Sequence, residues 1–159
     1  MASNEFSPDA LTLLREYVHG GTIMQLATSS PWSAHCWYAA DENLNLIFLS
    51  KTSRRHSADI MRDSSVSAAI IHQIPTEGPG QKVRGVVLEG SAAQVPSSDL
   101  DVAYEIFARR WRSARSVPAI DVLREPGGLD KLWRIVPRAF VFFDEVDFPG
   151  SPRQEFLSW

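Results

Sequence analysis

From residue 22 onward the apolar residues of this chain recur with a period of two, in short runs parted by turn-forming residues, and that pattern admits few folds. The first runs cover residues 22–28, 34–39 and 44–50, separated by Ser-Ser-Pro and by Asp41-Glu42-Asn43. Successive side chains of a strand point to opposite faces, so each run offers one apolar and one polar face. Three such runs with short connections predict a β-meander. Further runs follow at 66–72, 83–95, 131–143 and, more briefly, 154–159. Gly85 and Gly90 break the long run at 83–95, where glycine permits a bulge or a barrel corner. Pro137 interrupts the run at 131–143 and is tolerated at an edge or a bulge, because it has no N–H to give to the ladder.

Helical spacing is confined to the margins. Ser7-Pro8 is a good helix start, Leu11, Leu14 and Val18 then share one face, and Gly20-Gly21 ends the element. Residues 54–62 read as a short helix with Ala58 and Met61 inward. Pro96-Ser97-Ser98-Asp99 opens a longer helix on which Val102, Ala103, Ile106 and Phe107 keep helical spacing, and residues 113–128 read as irregular. About six strands with a few helices at the margins predict a mainly β chain, a closed or partly closed antiparallel barrel. With 159 residues, 44% of them hydrophobic, and no internal repeat or linker, a single domain over 1–159 is expected.

Charge and composition exclude several classes of function. A formal net charge of −3 gives no overall positive field for nucleic acid or an anionic membrane, so any anion site must be local. Cys36 is the single cysteine, which rules out an intrachain disulfide. Asp9, Arg15 and Glu16 interrupt the early apolar residues before a secretory core forms, and no run approaches the roughly 18 apolar residues of a membrane span. A cytoplasmic location is expected. His19, His35, His56 and His72 are too scattered for a metal spacing. Gly78-Pro79-Gly80-Gln81-Lys82 lacks the Gly-Lys-Ser/Thr ending of a phosphate loop and reads as a hairpin turn. Arg109-Arg110-Trp111-Arg112 with Arg115 could meet RNA, but in an acidic chain the run better complements a helix C-terminus and nearby carboxylates.

The most informative stretch is Leu46-Ile47-Phe48-Leu49-Ser50-Lys51-Thr52-Ser53-Arg54-Arg55-His56, in which a buried strand delivers hydroxyls and cations to the start of a helix. Backbone N–H groups at a helix N-terminus, guanidinium donors and a serine hydroxyl together replace the hydration that a phosphate loses on binding. Read from composition alone, the same cluster is a solvated basic turn.

The strand ending in a hydroxyl residue, followed by Thr-Ser-Arg-Arg-His and a short helix, resembles the phosphate-binding element of the pyridoxamine 5′-phosphate oxidase-like family. Residues Arg84-Gly85-Val86-Val87-Leu88-Glu89-Gly90-Ser91-Ala92 resemble that family's strand beside the flavin ring. The segments Ala103-Tyr104-Glu105-Ile106-Phe107-Ala108-Arg109-Arg110-Trp111 and Leu132-Trp133-Arg134-Ile135-Val136-Pro137 are similar to a branch of its short members. The resemblance implies an FMN-binding split barrel, a flavin-dependent oxidoreductase acting on a small molecule, and a homodimer whose second subunit completes the flavin slot. It equally leaves open a non-catalytic binder of flavin or haem, or an enzyme using the deazaflavin F420.

Carried over by position, the resemblance makes Ser50 a hydroxyl donor to the phosphate and sets Arg55 and His56 where the family has an Arg-Lys pair. Lys51 adds charge nearby. Trp37 lies on the strand that runs along the isoalloxazine, a strand that here lacks the family's terminal arginine and lysine, which argues against pyridoxamine phosphate as substrate. Gly85 replaces a flavin-contacting glutamine, leaving that role to a backbone amide or Arg84. Phe143 and Arg153 fall where the second subunit closes over the flavin. A large aromatic on an alternating strand is usually buried for its area, so core packing is the first reading of Trp37 and Phe143. His35 reads as a satisfied polar residue, and Trp111, Trp133 and Trp159 as candidates for either a dimer contact or the core. The sequence names no acid, base or substrate.

Overall fold

The computed structural model describes residues 8–73, 78–79, 82–114 and 116–159. Ser7, Arg115 and most of the turn around Gly80-Gln81 lie outside the described residues. The chain enters through α1 (Pro8–Gly20) and forms a meander of β1 (Ile23–Thr28), β2 (Trp32–Ala40) and β3 (Leu46–Lys51). After α2 (Arg55–Arg62) come β4 (Ser65–Gln73) and β5 (Arg84–Gln94), then α3 (Leu100–Arg110), α4 (Ile120–Arg124), β6 (Asp130–Asp144) and β7 (Arg153–Phe156). The strands lie in the order β3-β2-β1-β4-β5-β6-β7, and a further pairing of β3 with β6 closes six of them into an antiparallel barrel. The expected mainly β barrel with flanking helices is what forms.

The alternation read from the sequence fills the barrel interior. Met24, Leu26, Tyr38, Leu46, Phe48, Ile70, Val86, Leu88, Ile135, Phe140 and Phe142 are all buried there, and α1 packs Leu14, Tyr17 and Val18 into the same cluster. Trp133 belongs to this core at 1% exposure, which removes it as a dimer contact. A second cluster lies outside the barrel wall, where Ala39, Ile47 and Leu132 are covered by Leu100, Ala103 and Phe107 of α3 and Leu123 of α4. Covering the wall from outside explains why β3 begins with three consecutive apolar residues, buried alternately inside and under α3.

Gly90 and Pro137 meet at one irregularity. They are register partners in the β5–β6 ladder, which shifts between Glu89 and Gly90, so the proline sits at a bulge. A Cβ on Gly90 would lie 2.2 Å from the Val136 carbonyl oxygen, so only glycine allows this approach. Two expectations need correction. The short helix α2 turns Ser57 and Ile60 inward, whereas Met61 is 60% exposed, because α2 packs along the next stripe of its surface. Within the segment read as irregular, Ile120–Arg124 forms α4, held down by Leu123.

Candidate functional site

The outer face of β2, the end of β3, the start of α2 and the end of α3 enclose a groove of about 990 Å³. Each wall follows from local structure. Strand alternation sends Cys36 and Tyr38 into the barrel and leaves His35 and Trp37 outside, and α3 stops at Trp111 before it can cover them. Trp37 is 55% exposed, so the core reading of this residue is wrong; its ring meets the edge of Trp111 with centroids 4.9 Å apart at 77°. Trp111 is fixed in turn by an Nε1–H bond to the Tyr38 carbonyl (3.1 Å). Phe107 and Val117 complete this aromatic end.

The opposite end is basic. Lys51, Arg54 and Arg55 line it together with Ser50 and His56, and no side chain caps the amino end of α2. The Arg55 guanidinium lies 4.2 Å over the Trp32 ring, with Nε 3.9 Å from Asp59 Oδ2, and the residue lines the groove. Asp59 is itself buried and accepts from Thr28 Oγ1 (3.1 Å) and from Arg62. Ser50 Oγ lies 2.8 Å from His56 Nε2, and Ser57 Oγ donates to Ser50 at 3.3 Å. Burial, and then the charge of Arg54, push the His56 imidazole below its ordinary pKa against the pull of Asp59, so it is neutral at pH 7. Burial also pushes the Cys36 thiol up to about 11, which leaves no thiolate for chemistry at the groove floor.

Five expected site residues therefore share one groove: Trp37, Ser50, Lys51, Arg55 and His56. The other four gather elsewhere on the barrel wall. Gly85 pairs with Phe143, and Phe143 with Arg153, in adjacent strands. Arg84 is turned to Asp144 (3.4 Å) and Asp147 (2.9 Å), so its guanidinium is already engaged. Phe143 is half-buried on the outer face rather than in the core, and Arg153 pairs with Glu155. Sequence reasoning missed Trp32, Arg54 and Phe107, and left Trp111 between a subunit contact and the core. Arg54 carried a signal in its own cluster, whereas the approach of α3 to β2 is a long-range event with no local mark.

Together the closed six-stranded barrel and its flanking helices define the class, a split-barrel protein. Among solved structures, a heme-binding protein from Mycobacterium smegmatis aligns with a TM-score of 0.74 and 14% identity over 96% of this chain, which spans only 59% of that one. An FAD-binding protein from Mesorhizobium loti aligns at 0.58 with 15% identity, over 85% of this chain and 92% of that chain. The heme storage protein HutZ from Vibrio cholerae aligns at 0.57 with 18% identity, over 79% and 88% of the two chains. At these identities the likeness is one of fold. No protein-family model and no curated protein matches the chain.

Proposed function

We propose that the groove binds FMN and that the protein is a cytoplasmic, flavin-dependent oxidoreductase of the pyridoxamine 5′-phosphate oxidase-like kind, acting on a small molecule. The observation that carries this reading is the polarity of the groove, with Lys51, Arg54, Arg55 and Ser50 at one end and Trp37, Trp111 and Phe107 at the other. A planar ring with a phosphate tail has that same polarity. The tail would meet charge-assisted donors and the uncapped N–H groups of α2, and the ring would lie against indole faces. When bound, FMN supplies the redox chemistry, and the protein supplies the anchoring, the shape of the slot and the exclusion of water. Split-barrel neighbours described as FAD-binding and heme-binding support a planar cofactor in this fold.

A homodimer accompanies this reading. On the outer face, Trp37 pairs with Ile23, Ile71 pairs with Gly85, Gly85 with Phe143, and Phe143 with Arg153, so one row crosses the wall from the groove to the face that carries Phe143 and Arg153. Ile23 and Ile71 along it are 39% and 53% exposed, and Val87 in the neighbouring row, opposite Ala69 and Val141, is 50% exposed, an apolar strip suited to an isologous partner. A two-fold axis through the middle of the row exchanges its ends, setting one copy's Phe143 and Arg153 beside the other's groove. Haem is the second reading, favoured by the exposed His35 imidazole beside Trp37.

The visible spectrum of the purified protein, then of protein titrated with FMN, is the test. Oxidised-flavin bands support the first reading, a Soret band the second, and a colourless protein that ignores FMN rejects the flavin site. Reduction by NAD(P)H with turnover of an acceptor separates an enzyme from a binder.

A further inference from the structure

We propose that His56 controls the donor character of Ser50, so that an anion entering the basic end of the groove binds together with one proton taken up by His56. The inference rests on the phosphate reading and deepens it. A serine hydroxyl has one proton and two lone pairs. Ser57 Oγ donates to Ser50 Oγ at 3.3 Å, and His56 Nε2 stands 2.8 Å from the same oxygen. While His56 is neutral with Nε2 unprotonated, the Ser50 proton points at the imidazole and only a lone pair remains for the groove. That arrangement repels an anion. A proton on Nε2 reverses the bond: His56 and Ser57 then both donate to Ser50, and the Ser50 proton is free to turn to the ligand. One proton converts an acceptor into a donor and adds a positive charge to the grip.

The surroundings set the direction. Arg54 and burial disfavour the imidazolium, and Asp59 favours it. The other charged or titratable groups lining the groove among the described residues are Lys51 on β3, Arg55 on α2, His35 and Cys36 on β2 and Asp130 on β6, and the His56 ring lies against the Phe48 ring, 6.4 Å between centroids. Among the described residues, the cations lining this end of the groove outnumber the carboxylates, which disfavours the His56 imidazolium in the free protein. A bound dianion offsets those cations and raises its pKa. Between the free and bound pKa values, affinity grows as pH falls; above and below that window it is flat.

Sulfate is the probe, because its charge is fixed across the range where phosphate itself titrates, near pH 6. The His56 pKa is followed by NMR in the free protein and at saturating sulfate, and sulfate and FMN affinities are measured between about pH 5.5 and 8. We expect the His56 pKa to rise by about one unit on binding and sulfate affinity to fall about tenfold across the range. His56→Asn should still bind sulfate, with no pH dependence, and His56→Lys should bind it as tightly at high pH as at low. A wild-type sulfate affinity independent of pH, or a His56 pKa unmoved by saturating sulfate, overturns the inference and leaves the phosphate site standing. Failure of both sulfate and FMN to bind at any pH overturns the phosphate reading and the inference with it.

Discussion

Two arginine clusters that look alike in sequence behave oppositely in the fold. Arg110, at the end of α3, donates to the His19 carbonyl (2.5 Å) and the Gly21 carbonyl (2.6 Å), the exposed acceptors where α1 ends, while Arg109 pairs with Glu105 at 3.1 Å. Lys51, Arg54 and Arg55 gather instead at the amino end of α2, and among the described residues their only carboxylate in ion-pair range is Asp59, 3.9 Å from Arg55. A helix carries partial negative charge at its carboxyl end and partial positive charge at its amino end. Arg110 is therefore where a cation belongs, and the α2 cluster is where cations cost stability. Such an excess of positive charge is what the phosphate of the proposed FMN would offset.

Mutations that separate the two clusters should move different observables. Arg110→Ala should have the largest effect on the fold, about 2 kcal/mol of folding stability through the lost charge-assisted bonds to the carbonyls at the end of α1, with FMN affinity of the folded protein near wild type; urea unfolding and flavin titration measure both. A stable variant that had lost FMN would reverse the assignment of the two clusters. Arg55→Ala should weaken FMN by about 1.5 to 3 kcal/mol, ten- to a hundredfold, while riboflavin affinity and the melting temperature hold. Equal loss for both flavins would mean that Arg55 is structural. Arg54→Ser sharpens the contrast, because it should raise stability by about 1 kcal/mol, through a capping hydroxyl and one cation fewer, yet loosen FMN several-fold. Arg109→Ala should shift stability by only about 0.3 to 0.5 kcal/mol and leave flavin binding untouched.

The barrel was legible because its signals are local. Short apolar runs between turn residues marked the strands, and Gly90 and Pro137 each announced an irregularity without showing that they face one another. The basic end of the groove was legible for the same reason, since Ser50 to His56 are contiguous in sequence. The aromatic end was not. Periodicity places Trp37 on a strand but does not say which face lies inside, and typical burial pointed the wrong way. Trp111 reaches Tyr38 across 73 positions, and Arg110 reaches Gly21 across 89, so neither leaves a mark in its own neighbourhood. The inward stripe of α2 failed for a related reason: a helix of eight residues is too short for its pattern to outvote the surface it docks on.

The pairing of β3 with β6 also bears on how the molecule forms. Every other neighbour in the barrel except β1 with β4 is also next in the order of strands along the chain, whereas closure joins residues as distant as Ser50 and Trp133, which bond across 83 positions. Loop entropy makes so long-range a contact late and slow, and it places the protein among the chains of high contact order that fold in milliseconds to seconds. Both α3 and β3 pack on Leu132 of β6, so their shared cluster is complete only in the closed barrel. If the groove binds FMN as proposed, a refolding chain should regain secondary structure first and flavin binding last, with closure of the seam as the step that added FMN reports.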